Sequence, residues 1–219
     1  MTRAAALILI LCACAPTAEQ TRVSVSTAPG AAAYYPQAAG SRWEYLEPGE
    51  LVETPRFFKE IVGETFVQDR QLTMTRFFGR GTSTTLFEDI GEAGAYLYRE
   101  DRGDKVIVYD PPLQTLPEGG LQIGKSWQGD TTVTIFRHLE DTETSSLSYA
   151  YRVVESRRVK VAGIGEDRLI DVFVVSVQMR VPDGEASRVS TGEMWFAPHL
   201  GVVRTRQGLT LVDTNLRGL

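Results

Sequence analysis

The stretch Gly119 to Ser126, GGLQIGKS, matches the phosphate-gripping pattern G-x-x-x-x-G-K-[ST] at every position. Such a loop works when a buried parallel strand leads into it and a helix follows, because the helix N-terminus turns its N–H groups and dipole toward the phosphates. Upstream, Pro111, Pro112 and Pro117 crowd seven positions, and proline lacks the donor a central strand needs. Downstream, Trp127-Gln128-Gly129-Asp130-Thr131-Thr132-Val133 is glycine-containing and β-branched, which opposes a helix. Gly119, Gly124, Lys125 and Ser126 are therefore read as a chance match within a glycine-rich turn, and no bound nucleotide is expected. The expected role of that turn is to set Trp127 into the core at the start of a strand.

Other chemistry has few residues to use. The two histidines are His138, in a strand pattern beside Arg137, and His199, in a loop after Pro198. Neither has thiols or carboxylates at a diagnostic zinc spacing. No serine sits in a G-x-S-x-G elbow, since Gly81-Thr82-Ser83-Thr84-Thr85 lacks the second glycine. The acidic runs Glu140-Asp141-Thr142-Glu143 and Asp183-Gly184-Glu185 read as solvated turns and match no EF-hand loop. The expectation is a non-enzymatic protein without metal or cofactor. A hydrolase would require His138 or His199 beside both a serine and a carboxylate.

The N-terminus, MTRAAALILILCACAP, has a basic Arg3 and a short apolar run from Ala4 to Leu11. That run is too short for a bilayer, which takes about 20 residues of helix, and has the form of an export signal. Leu11-Cys12-Ala13-Cys14 resembles the bacterial lipobox. The resemblance implies cleavage before Cys14, with Leu11 and Ala13 as recognition positions, and diacylglycerol on the Cys14 thiol. Cys12 is excluded because Leu11 is too large to precede the cut. Ala15, in place of aspartate, implies the outer membrane facing the periplasm in a Gram-negative cell, or the outer face of the plasma membrane otherwise. Two or more acyl chains give a firm anchor at about 0.8 kcal/mol per buried CH₂. Cys12 and Cys14 are the only cysteines, so the mature domain has no disulfide and no free thiol nucleophile.

Loss of residues 1–13 would remove one basic residue of 23, leaving 22 against 28 acidic, or −6. With a pI near 5.2 and no basic run longer than Arg157-Arg158, nucleic acid is not an expected partner. Residues 14–33 are small and polar and read as a lipidated flexible stalk. Residues 34–219 form one domain, large enough to bury a core of its own.

Period-two alternation dominates that domain. Phe173, Val175, Val177, Met179 and Val181 share one face, and Leu147, Tyr149, Tyr151 and Val153 another, resumed by Val159 and Val161 after a polar break. Thr131 to Leu139 is β-branched and aromatic. Further strands are expected over 41–46, 56–67, 71–78, 83–90, 95–100, 105–109, 187–196, 202–206 and 209–213, separated by glycine- and proline-rich turns. The expected fold is all-β: a single antiparallel meander forming a strongly curved sheet, half-barrel or barrel.

Three stretches carry a family resemblance. Tyr34-Tyr35-Pro36-Gln37-Ala38-Ala39-Gly40-Ser41-Arg42-Trp43-Glu44-Tyr45 fits an opening motif, with Gln37 where leucine is frequent. Leu116-Pro117 through Gly124-Lys125-Ser126-Trp127 resembles a middle motif. Trp195-Phe196-Ala197-Pro198-His199-Leu200-Gly201-Val202-Val203 is similar to a closing motif. Together they resemble a family of secreted bacterial β proteins with a distant likeness to LolA/LolB half-barrels. The resemblance implies no catalytic residues. Trp43, Trp127 and Trp195 have two readings: core anchors, which is the favoured one, or the lining of a lipid or hydrophobic-ligand cavity. The expected function is a tethered binding module for an apolar ligand, with an envelope assembly or structural role as the alternative.

Overall fold

The computed structural model describes residues 23–24, 30–137, 141–161, 164, 169–183 and 186–217. Leu11, Cys12, Ala13, Cys14 and His138 lie outside the described residues. In chain order the elements are β1 (Val23–Ser24), a 3-10 turn (Gly30–Tyr34), β2 (Arg42–Leu46), β3 (Phe57–Val67), β4 (Arg70–Gly79), β5 (Thr82–Gly91), β6 (Gly94–Arg102) and β7 (Lys105–Leu116). There follow β8 (Ser126–Arg137), β9 (Asp141–Lys160), β10 (Leu169–Asp183), β11 (Ala186–Ala197), β12 (Gly201–Arg204), β13 (Thr210–Thr214) and β14 (Leu216–Arg217).

Each strand from β2 to β13 pairs antiparallel with its chain neighbours, and β13 pairs back onto β2, closing a 12-stranded up-and-down barrel. Of the curvatures that alternation allows, the chain adopts full closure, which removes the exposed edges of an open sheet. The thinnest seam is β12–β13, joined by the single pair Arg204↔Thr210. β1 and β14 form a separate two-stranded parallel pair.

Three local expectations are corrected. β7 runs through Pro111 and Pro112, whereas the prolines had argued against a strand there. Its ladder to β6 jumps from Arg99↔Val108 to Leu97↔Leu113, and its ladder to β8 ends at Asp110↔Thr132, so neither proline stands where a ladder donor is required. β9 is continuous for 20 residues across the expected polar break, with a register shift opposite Val174/Val175. Asp141 and Glu143, read as turn residues, lie in β9 opposite Arg137 and Ile135.

One end of the barrel is closed by the segment that enters β2. The 3-10 turn takes in Gly30 to Ala33, which had been assigned to the stalk, and Ala31 is fully buried beneath it. The three motif stretches meet here. The Tyr34 ring meets Phe173 edge-on at 6.0 Å, and the Tyr35 ring lies 6.3 Å from that of Phe196. Trp43 Nε1 donates to the Leu200 carbonyl at 2.6 Å, and Tyr45 Oη donates to the Val202 carbonyl at 2.8 Å. Gly201 has φ +92°, and a Cβ there would sit 3.4 Å from both Pro36 Cδ and the Tyr34 carbonyl oxygen. Only glycine combines that backbone with so close a neighbour.

The outer wall carries Glu44, Glu60, Arg76, Arg99, Asp101, Asp130, Arg152 and Arg180. A lipid-facing barrel instead shows an apolar outer band about 25 Å tall. The inward phase holds the buried apolar side chains, among them Ile61, Val153, Val175 and Val177.

Candidate functional site: the barrel lumen

Inward positions follow from register. Lys59 pairs with Trp43 and Phe77, Glu88 with Thr73 and Leu97, and Glu100 with Leu86 and Ile107. These charges occupy the apolar phase of their strands: Lys59 lies between Phe57 and Ile61, and Glu88 between Leu86 and Ile90. A charge in that phase was the sequence signal that could have found them.

The interior is apolar, with a buried core and partly buried side chains packed against it. Inward-facing Phe77, Leu86, Tyr109, Val133, Met179 and Met194 are only half-buried, and so is Lys59 within the wall. Deeper residues, including Val153, Val175 and Val177, are fully buried. The N-terminal segment caps one end. The other is ringed by the turns after β2, β4, β6 and β12.

Polar groups form a connected circuit around this space. Burial lowers the Lys59 ammonium pKa, with the Glu88 charge opposing. Burial raises the Glu88 carboxyl, opposed by Lys59 and by the Thr75 hydroxyl, which donates to Glu88 Oε2 at 3.1 Å, and pushed further by Glu100. Glu100 accepts from Tyr109 Oη at 2.7 Å and from Arg102 Nε at 2.7 Å. Burial and then Glu100 raise the Tyr109 phenol, with Arg102 and Arg206 opposing. Burial raises Tyr151, again with Arg206 opposing, and raises Tyr35, where Glu88, Tyr45 and Tyr151 add to it. Lys59, Glu88, Glu100, Tyr109, Arg206, Tyr151 and Tyr35 thus influence one another around a shared interior.

Two of the three tryptophans face this interior. Lys59 Nζ lies 4.2 Å from the Tyr35 ring centroid and 5.7 Å from that of Trp43. Trp127 opens β8, stacks on Tyr151 at 5.1 Å and 1°, and donates from Nε1 to the Gln114 carbonyl at 3.2 Å. Trp195 is separate. It faces outward between the guanidinium groups of Arg157 and Arg204, at 4.6 and 4.9 Å, and its buried Nε1 has no acceptor among the described residues.

The GGLQIGKS loop connects antiparallel β7 to β8, with strand on both sides. Gly119 and Gly124 adopt φ of +69° and +85°. Lys125 Nζ folds back to donate to the loop's own carbonyls, Glu118 and Gly120. Ser126 is the first residue of β8. His199, at φ +63°, lies in the β11–β12 turn, and its backbone N–H donates to the Ala33 carbonyl. No group of three or more potential metal ligands gathers among the described residues.

These features define a closed up-and-down barrel with an apolar interior that also holds several charged side chains. No protein-family model matches the chain, and no curated protein is similar to it in sequence. It is similar to a solved Bacteroides fragilis structure, provisionally described as an exported protein with a YmcC-like fold. The identity is 13%, with 80% of this chain and 93% of that one covered, at a TM-score of 0.47. At that distance no functional argument passes from one barrel to the other.

Proposed function

We propose that this chain is an exported, lipid-anchored binding protein of the bacterial envelope, whose barrel holds a hydrophobic or amphiphilic ligand and performs no catalysis. The observation that carries the reading is the half-buried apolar wall inside a closed sheet. A wall of phenylalanine, leucine, valine and methionine left partly uncovered favours an apolar guest, because each square ångström removed from water is worth about 25 cal/mol. The Leu11-x-Ala13-Cys14 pattern supports the anchor, and Ala15 supports the outer membrane. The likeness to secreted β proteins and LolA/LolB-type half-barrels agrees with an envelope role. Trp43 and Trp127 act mainly as anchors of the capped end, with Trp127 also shaping the wall through its stack on Tyr151.

Native mass spectrometry of the protein taken gently from envelopes tests this. A retained lipid-sized adduct, with uptake of a fluorescent apolar probe after its removal, is the expected result. Protein with no adduct and no probe uptake would overturn it. Intact-mass analysis of the N-terminus checks acylation at Cys14.

A further inference from the structure

Among the described residues, two cations face the lumen without a carboxylate at ion-pair distance. Lys59 has only the Tyr35 and Trp43 ring faces beneath it, with Glu88 acting from farther away. Arg206 enters from the β12–β13 turn. Its Nη1 donates to Met179 Sδ, and its charge reaches the Tyr109 and Tyr151 phenols. A guanidinium carries five donors in a planar fork suited to a carboxylate or phosphate, and a thioether is a weak acceptor. The internal carboxylates are better served: Glu100 by Arg102 and Tyr109, Glu88 by Thr75.

The path of Arg206 into the lumen depends on one strand residue. Gly192 of β11 pairs with inward-facing Val177, and a Cβ there would lie 2.8 Å from Arg206 Cγ and 3.2 Å from its carbonyl oxygen. The arginine stem occupies the space that any other side chain at position 192 would fill. Gly192 is thus a positioning residue for the guanidinium, without any charge of its own.

We propose that the lumen selects ligands with an acidic head, such as a fatty acid or other anionic amphiphile, and that Arg206, seated by Gly192 and assisted by Lys59, binds that head. This rests on the lumen being the binding site. The apolar wall supplies affinity for the tail, and the two cations that have no carboxylate at ion-pair distance distinguish an acid from its neutral ester. A carboxylate entering this ring gives Arg206 the paired acceptors it lacks and gives Lys59 a counter-charge.

The test uses the full chain carrying Cys14→Ser, so that no anchor acyl chain competes, stripped of lipid and titrated with cis-parinaric acid and with its methyl ester. The acid is expected to bind about tenfold or more tightly than the ester, as a charge-assisted hydrogen-bonded contact would give. Arg206→Gln and Gly192→Ala should each erase most of that preference, read as the ratio of acid to ester affinity, and Lys59→Met should reduce it. Circular dichroism confirms that each variant folds. Acid and ester binding equally, with the variants silent, would overturn the acidic-head inference and leave the lumen reading standing. Failure of both probes to bind would overturn the lumen reading, and this inference with it.

Discussion

Phenylalanine at position 43 and phenylalanine at position 195 should have very unequal consequences. The Trp43 residue is 2% exposed, and its Nε1 donates at 2.6 Å to the carbonyl of Leu200, itself fully buried. Phenylalanine keeps the apolar body but not the donor. Leaving that acceptor unserved costs about 1–3 kcal/mol. The smaller ring leaves a void that adds roughly 1 kcal/mol at ~24 cal/mol per Å³. Trp43→Phe should therefore lose about 2–4 kcal/mol, each lowering Tm by roughly 2–4 °C in a domain of this size. At Trp195 the indole N–H is already buried without an acceptor among the described residues, so its removal relieves a cost. The opposing loss is weaker stacking with Arg157 and Arg204, about 0.5–1 kcal/mol each. Trp195→Phe should stay within about 1 kcal/mol of the parent. Urea unfolding followed by far-ultraviolet circular dichroism avoids the altered fluorescence and compares all three proteins at one pH. A Trp43→Phe variant as stable as the parent, or Trp195→Phe as the weaker of the two, would refute the assignment of these rings.

Glu88 gives a pH prediction. Burial raises its folded-state value, so the stability it contributes is complete below the ordinary carboxylate range and is lost as pH rises through the folded value. In a Lys59→Met background, which removes the coupled cation, adding Glu88→Gln should change little at pH 4 and stabilise at pH 7 to 8; denaturant midpoints at both pH values decide it, and an equal effect at both contradicts it. Gly201→Ala, forced to φ +92° against Pro36 and Tyr34, should cost about 1–3 kcal/mol, read as a lowered thermal midpoint. Lys125→Ala should lose about 1 kcal/mol of stability by freeing the loop carbonyls, with no change in retention of labelled Mg-ATP. Tight nucleotide binding abolished by that change would reinstate the phosphate-loop reading.

Strand content was legible because alternation is a local property. The expected 41–46, 56–67 and 71–78 segments correspond to β2 (Arg42–Leu46), β3 (Phe57–Val67) and β4 (Arg70–Gly79). Local rules failed where neighbours supplied what the segment lacked. Pro111 and Pro112 sit in a stretch of β7 that no ladder uses. Residues 155–158, polar in sequence, remain in β9 because they run beside β10. Gly30 to Ala33 resemble a tether, yet Ala31 is small enough to fit beneath the cap. The internal charges had a faint signature, in Lys59 and Glu88 occupying apolar-phase positions. Arg206 had none, since its place inside the barrel depends on Gly192, a residue of another strand.

The sequence by itself determined that the domain is pleated, antiparallel and without a cysteine after position 14. Closure was decided only in three dimensions. An open sheet, a filled barrel and a partly hollow one share the same alternation, because side-chain period reports which face a residue takes and not what lies across from it. The pairing of β13 with β2 joins residues more than 160 positions apart, as where Arg42 N–H donates to Asn215 Oδ1 at 2.8 Å. That long-range contact turns one face of a curved sheet into an interior, and sets Lys59 and Arg206 around a common space.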